Sequence, residues 1–200
     1  MSGVAVYMEG GGDSKEGKAR LRQGMSEFLR KVVSQKKPGW TVVTCGSRND
    51  AHDAFQNANK TSPETFNVLL VDSEGPVTQP PRAHLKGDGW DVAGVGEDSI
   101  HLMIQVMETW IISDPDAMAT YYRQHFRKTA LPKAQNLEGV GKERIYETLK
   151  HATAKTQKGE YHKIGHAAAL LETIDLDIVR RRCPSCDRLF VTLTRAINAP

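Results

Sequence analysis

The segment Phe66–Gly75, FNVLLVDSEG, constrains the fold more than any other part of the 200-residue sequence. Its apolar run, Val68–Val71, shows no alternation with polar residues. Such a run is typical of a strand buried on both faces, as in the middle of a parallel sheet. Two acids, Asp72 and Glu74, follow directly, and a Gly-Pro pair ends the segment. The pattern therefore predicts a central strand with carboxylates at its carboxyl end.

These two acids indicate a metal site. Asp72 and Glu74 are two residues apart, so an extended backbone would point both side chains to the same side. Open α/β sheets bind their ligands outside the carboxyl ends of their strands. Two carboxylates held close together repel each other unless a proton or a cation lies between them. Oxygen ligands suit a hard divalent cation, and we expect Mg²⁺ or Mn²⁺ here.

A second strand with an acid at its end is predicted at the start of the chain. Gly3–Met8 is apolar and is followed by Glu9. Three glycines come next: Gly10, Gly11 and Gly12. Glycines allow a tight turn whose backbone N–H groups face an anion, so this turn is predicted to bind substrate phosphate. If the strands of Glu9 and Asp72 are neighbours, three carboxylates converge at one edge of the sheet.

The order of predicted elements favours an α/β fold. A helix is predicted over Lys15–Val33, a strand over Trp40–Cys45, and a helix capped by Asn49 or Asp50 and reaching residue 59. Strands that alternate with helices indicate a parallel sheet flanked by helices. Beyond residue 115 the patterns are mostly helical. We predict an α/β core over residues 1–115 and a helical extension over 116–200, packed together as one unit.

Residues 76–96 are rich in proline and glycine and predict a long loop without regular structure, of the kind that covers a substrate. Arg82 in this loop is a candidate for binding substrate. Trp90 either stacks on a nucleobase or packs the loop onto the body of the protein.

A fourth strand is predicted over Ile100–Val106. Glu108 follows it among apolar neighbours and needs a partner, either as a fourth metal ligand or as a structural hydrogen-bonding residue.

Cysteine and charge content limit the classes of function. Three cysteines, an odd number, argue against a disulfide framework and favour a reducing compartment. The sequence has no apolar run of about 18 residues and no secretory signal, so a cytoplasmic protein without membrane contact is expected. The net charge of +3 neither requires nor excludes nucleic acid. The CxxC pair Cys183 and Cys186 would need two more zinc ligands, and His162 and His166 are unusually spaced for that role.

Four segments of the sequence carry a resemblance to a known family: YMEGGGD, LLVDSEGPV, VMETWIISDPDAM and RRCPSCDRL. The chain resembles the Toprim domain of topoisomerases, primases and nucleases, and more narrowly a Toprim-like family of bacterial proteins linked to phage defence. The resemblance implies that Asp72 and Glu74 hold Mg²⁺ and that Glu9 holds metal or shuttles a proton. It also implies a distant basic residue that neutralises the phosphate, for which Lys163 is the candidate. Glu74 departs from the family pattern, which has Asp at this position.

The resemblance implies a metal-dependent nuclease that cuts DNA or RNA, acts as an effector of anti-phage defence and works with an ATPase partner. Two other functions stay open. One is a Toprim-like subunit without chemistry that serves as an interaction module. The other is a receiver-like domain phosphorylated on Asp72, which the second acid at Glu74 argues against. The sequence leaves the oligomeric state open, a homo-oligomer included.

Overall fold

The structure is a computed structural model and describes residues 3–31 and 40–198 of the chain. The predicted end of the first helix at Val32 and Val33, and the turn predicted over residues 35–39, lie outside the described residues. The remaining predicted elements can be compared with the structure directly.

The sheet has four parallel strands in the order β2-β1-β3-β4. The strands are β1 (Gly3–Met8), β2 (Trp40–Thr44), β3 (Thr65–Asp72) and β4 (Ile100–Met103). Met8 of β1 pairs with Leu70 of β3, and Asp72 pairs with Met103 of β4. The carboxyl ends of β1, β3 and β4 therefore meet at one edge. The predicted α/β class with a parallel sheet is confirmed.

Helices cover both faces of this sheet. The side chains of β3 alternate, with Val68 and Leu70 in the larger hydrophobic cluster and Leu69 and Val71 in the smaller one. The nine helices of the described residues are α1 (Lys15–Arg30), α2 (Arg48–Thr61), α3 (Pro81–Gly87), α4 (Glu108–Ile112), α5 (Pro115–Tyr122), α6 (Lys142–Thr153), α7 (Lys163–Thr173), α8 (Leu176–Arg182) and α9 (Pro184–Asn198). The predicted mostly helical C-terminal part is thus confirmed.

The larger cluster runs through both parts of the chain. It joins Val6 of β1 and Phe28 of α1 to Leu170 of α7 and Phe190 of α9. The division at residue 115 stays a prediction, but the two parts share this hydrophobic core. None of the helices in the described residues combines the length and apolarity needed to cross a membrane.

Helix α7 lies against α1 at a very close crossing. A Cβ atom on Gly24 of α1 would lie only 2.4 Å from the carbonyl oxygen of Ala168 in α7. Only glycine allows the two backbones to approach this closely. The crossing fixes α7 beside the first βα unit and brings its first residue, Lys163, to the carboxyl edge of the sheet.

Three local predictions were wrong. The segment 76–96 contains helix α3, which begins at Pro81, where proline's fixed φ suits a first helical turn. Helix α2 is capped by Ser47, and Asp50 completes a capping box with it. Strand β4 ends at Met103 and does not reach Val106.

Candidate metal centre

Three carboxylates converge at the carboxyl edge of the sheet. Glu9, Asp72 and Glu74 each offer an oxygen atom, and these atoms lie within 4.8 Å of one another. Ligands on opposite sides of an ion at 2.0–2.6 Å are about 4–5 Å apart, so this spacing suits a single divalent cation. Glu9 is 8% exposed and Asp72 is 1% exposed. The convergence that the sequence predicts is present in the structure.

The charge state of Glu9 supports a cation. Its Oε2 atom is buried and has no hydrogen-bond partner among the described residues. Burial, followed by the nearby Asp72, raises the pKa of Glu9 to about 9. Nε of Arg48 lies 4.0 Å from this Oε2 atom, which is an ion pair beyond hydrogen-bond distance. A buried carboxylate with so distant a counter-charge is costly to ionise, and a bound cation reduces that cost. These oxygen donors therefore fit a hard divalent ion.

Asp72 is fixed by contacts from two other elements. Its Oδ1 atom accepts a hydrogen bond from the backbone N–H of Met107 at 2.7 Å. Its main-chain carbonyl accepts from Nε of Arg48, the first residue of α2, at 2.9 Å. The side chain of Asp72 is thus held in one orientation at the end of β3, with Oδ2 directed towards Lys163.

Glu74 reaches the cluster by a different route from the one predicted. The sequence argument assumed an extended backbone through Glu74, but this residue has a φ of +63° and lies in a turn. Its backbone N–H donates to the carbonyl of Gln105 at 3.0 Å. Its Oε2 atom forms an ion pair with Nζ of Lys142. The predicted placement of the carboxylate is correct, whereas the local geometry behind it is not.

Lys163 and Glu108 lie next to the three converging carboxylates. Nζ of Lys163 lies 3.4 Å from Oδ2 of Asp72 and 3.7 Å from Oε2 of Glu108. Glu108 is fully buried, and the hydroxyl of Tyr161 donates to its Oε1 atom at 3.0 Å. Burial alone would lower the pKa of Lys163, but Asp72 and Glu108 outweigh it, so the net pKa is raised. Glu108 does not belong to the group of three converging carboxylates.

The centre opens into a pocket of about 520 Å³. Its lining includes Glu9, Glu74, Lys163, Tyr146 and the glycine turn 10–12. All three glycines have positive φ, and a Cβ on Gly11 would lie 2.6 Å from Cα of Lys18. The tight glycine turn is thus present beside the carboxylates. Phosphate binding by Gly10, Gly11 and Gly12 stays a prediction.

The model of a family described as "Domain of unknown function (DUF4276)" matches residues 8–194. The chain belongs to the DUF4276 family. The match includes each of the site residues above, from Glu9 to Lys163. Comparisons with curated proteins and with solved structures gave no match.

Two other candidates lie elsewhere in this DUF4276 chain. Arg82 donates through Nη1 to the carbonyl of Val95 at 3.2 Å and does not line the pocket described above. Its predicted contact with substrate is not favoured by this placement. Trp90 packs against the ring of His52 and the guanidinium of Arg48, at 4.6 Å and 4.8 Å. The packing role of Trp90, one of its two predicted alternatives, is the one that the structure shows.

The histidines and cysteines have structural roles in the DUF4276 fold. Nδ1 of His162 accepts from the backbone N–H of Gly165 and caps α7, and His166 contacts the hydroxyl of Tyr122 at 2.9 Å. Cys183 and Cys186 are free thiols, and both are fully buried. Within the described residues, the three carboxylates form the one group of three or more His, Cys, Asp or Glu side chains close enough to share an ion.

The sequence reasoning missed four residues at this centre: Arg48, Lys142, Tyr146 and Tyr161. Lys142 and Tyr161 contact acids that are 68 and 53 residues away in the chain. Such pairs leave no local signal in a single sequence. Arg48 did have a signal, because it begins the helix that follows strand β2 at the same edge of the sheet.

Proposed function

We propose that this protein is a metal-dependent nuclease that hydrolyses phosphodiester bonds in DNA or RNA with Mg²⁺ or Mn²⁺. One observation carries the proposal: three carboxylate oxygens lie within 4.8 Å of one another beside an open pocket. One of these acids, Glu9, keeps a buried oxygen without a hydrogen-bond partner among the described residues. Hard oxygen ligands beside a pocket suit phosphoryl chemistry.

Each residue of the site has a part in this proposal. Glu9, Asp72 and Glu74 hold the ion, which when bound polarises a phosphate and stabilises its leaving oxygen. Lys163 places a positive charge next to Asp72, where it stabilises the negative charge of the phosphate. The backbone of the turn 10–12 orients the phosphate at the mouth of the pocket. Alternatively, Asp72 and Glu74 hold the ion without Glu9, and Glu9, whose pKa is raised by burial and by Asp72, takes up or releases a proton.

The resemblance to Toprim nucleases supports the same reaction, together with a role as an effector of anti-phage defence. It also implies an ATPase partner that supplies substrate recognition or control. An interaction subunit without chemistry is the second candidate. The ion pairs of Glu74 with Lys142 and of Asp72 with Lys163 favour it, because they already neutralise two of the acids. A receiver role is disfavoured because Asp72 is buried and its Oδ1 is bonded to Met107.

Glu9→Gln separates the two candidates. The change keeps the shape and one ligand oxygen but removes the ionisable group, and general acid–base groups contribute about 10²–10⁴-fold to rate. We expect this variant to fold, to associate with the ATPase partner and to lose nearly all cleavage. The assay uses purified protein with Mn²⁺ or Mg²⁺, mixed DNA and RNA, and the partner present or absent.

The matched control is Glu16→Gln, which makes the same chemical change at an exposed position in the first turn of α1. It should cleave like the native protein. The interaction-subunit candidate is favoured instead if the native protein cuts nothing with any metal and partner while Glu9→Gln retains function in cells.

A further inference from the structure

The buried acid Glu108 is accounted for by the chain itself. It is fully buried at the start of α4, where a lone carboxylate would be costly. The hydroxyl of Tyr161 donates to Oε1 at 3.0 Å, and Nζ of Lys163 lies 3.7 Å from Oε2. Tyr161 and Lys163 flank the start of α7, so one short segment supplies both partners. Glu108 therefore has its counter-charge without a metal ion.

Lys163 in turn links Glu108 to the three converging carboxylates. Its ammonium lies between Oδ2 of Asp72 and Oε2 of Glu108, within 4.0 Å of both. The close crossing of α1 and α7 holds the backbone that carries this side chain. The ammonium is thus a fixed positive charge next to a metal-binding acid.

The charges at the centre match a single divalent ion. Around it lie four carboxylates, Glu9, Asp72, Glu74 and Glu108, and two ammonium groups, Lys142 and Lys163. With all of them ionised, two negative charges remain, and one divalent cation neutralises them. A second divalent cation would leave two uncompensated positive charges beside the buried Glu9, Asp72 and Glu108. Nε of Arg48 lies 4.0 Å from Oε2 of Glu9, but Arg48 pairs more closely with Asp88, at 2.8 Å. Adding this neutral Arg48–Asp88 pair to the count leaves the net charge of the centre at two negative charges.

We propose that Glu108 is not a metal ligand but a positioning residue for Lys163, and that this ion pair supplies the second positive charge of the centre, so that one divalent ion binds. This inference rests on the proposed metal site and defines its stoichiometry. It also gives Lys163 its function: the residue does in this chain what a second metal ion does in a two-metal nuclease.

A double-mutant cycle on Mn²⁺ affinity tests the inference without reference to cleavage. Free Mn²⁺ is counted by electron paramagnetic resonance during titration of the native protein, Glu108→Gln, Lys163→Met and the double variant. We expect one tightly bound ion in the native protein. Glu108→Gln should weaken binding about tenfold, because the ammonium beside Asp72 loses its compensating charge. In the Lys163→Met background the same change should shift affinity by less than about threefold.

A ligand behaves differently in this cycle. If Glu108 bound the ion directly, Glu108→Gln would weaken binding by a similar factor in both backgrounds, and the inference would be overturned. Two tightly bound ions in the native protein would overturn it as well while leaving the proposed nuclease intact. A native protein that binds no Mn²⁺ would overturn the proposed function together with the inference.

Thermal unfolding without metal provides a second readout. Lys163→Met should lower the melting temperature by several degrees, because Glu108 loses its counter-charge, and the double variant should recover part of that loss. The matched control is Lys142→Met, whose partner Glu74 is exposed, and it should change the melting temperature by less than about 2 °C. If Lys163→Met is too unstable to titrate, Lys163→Gln also removes the charge, and in that background Glu108→Gln must again shift Mn²⁺ affinity by less than about threefold. Failure of the double variant to recover stability would overturn the proposed pairing.

Discussion

Two basic side chains lie at opposite ends of the sheet and have different surroundings. Arg188 contacts the amino end of β4, and Lys163 contacts the carboxyl end of β3. Arg188 of α9 donates to the carbonyls of Ile100 and Glu97 at 2.8 Å and 2.7 Å. Nη2 of Arg188 also lies 3.8 Å from Oε1 of the half-buried Glu97.

Lys163 of α7 lies within 4.0 Å of two buried carboxylates, Asp72 and Glu108, and the Oε2 atom of Glu108 has no hydrogen bond within the described residues. Buried polar groups are almost always hydrogen-bonded, so the exceptions need an explanation. For Glu108 the explanation is its ion pair with Lys163. The comparison teaches that Arg188 belongs to the framework of the fold, whereas Lys163 belongs to the acidic cluster that we propose as a metal centre.

His101, beside Arg188, also has a structural role, because both of its ring nitrogens are hydrogen-bonded. Nδ1 of His101 lies 3.1 Å from Nη1 of Arg188 and accepts a hydrogen bond from it. Nε2 lies 3.0 Å from the carbonyl oxygen of Asp98, so Nε2 carries the hydrogen. Burial, followed by the charge of Arg188, lowers the pKa of His101 to about 3. The ring is neutral and both of its nitrogens have partners, which leaves it no capacity for a ligand.

The largest effect on stability is expected from Arg188→Met, which removes the structural hydrogen bonds of Arg188. The change removes the hydrogen bonds that Arg188 makes to the carbonyls of Ile100 and Glu97 and to Nδ1 of His101. Each hydrogen bond to a charged group contributes about 1.5–3 kcal/mol. We expect the free energy of unfolding in urea to fall by about 3 kcal/mol or more, with Mn²⁺ affinity of the folded protein unchanged within twofold. A large loss of Mn²⁺ affinity at full stability would show that Arg188 belongs to the site instead.

The second prediction concerns the pH dependence of the free energy of unfolding, to which His101 beside Arg188 contributes. His101 has a folded-state pKa near 3, against about 6.5 in the unfolded chain. Between these values the unfolded state binds more protons, so stability is complete above about pH 6.5 and is lost as the pH falls. The expected slope from this residue approaches 1.4 kcal/mol per pH unit.

Urea unfolding of native protein and His101→Gln from pH 7.5 to 4 isolates that slope, because the other titrating groups are common to both. The native protein should lose stability more steeply than the variant as the pH falls. Parallel curves would mean that His101 is not held neutral by its surroundings.

The smallest effect is expected at the crossing of α1 and α7. Alanine normally favours a helix over glycine by about 1 kcal/mol. At Gly24, however, the new Cβ meets backbone atoms of Ala168, and overpacking of this kind typically costs about 1–3 kcal/mol. Gly24→Ala should therefore lower the free energy of unfolding, as measured in urea.

Gly165→Ala in α7 is the matched control. A Cβ atom there lies 3.6 Å from Nδ1 of His162, an ordinary contact, so this variant should be as stable as the native protein or slightly more stable. Equal stability of the two variants would show that the crossing adapts and does not fix α7.

The sequence predicted the part of the site that lies at strand ends. Glu9 and Asp72 each follow an apolar run that forms a parallel strand, and neighbouring parallel strands bring such residues to one edge. The helix at Pro81 was missed, although proline at a first helical position is a known signal. The contact of Tyr161 with Glu108 had no such signal, because it depends on how α7 packs against α4 in three dimensions. Local sequence patterns predict the conformation of one helix or strand, but they do not show which side chain of another helix will contact it.

The position of Lys163 in the chain has a consequence for synthesis. It follows Asp72 by 91 residues, and the acids of β1 and β3 are translated well before it. At about 5–20 residues per second, ribosomes need roughly 5–20 s to add those residues. During that time the nascent chain contains Asp72 but not the ammonium group of Lys163 that faces it. The centre is therefore completed late, and a truncated product that stops before α7 has the three acids but lacks Lys163.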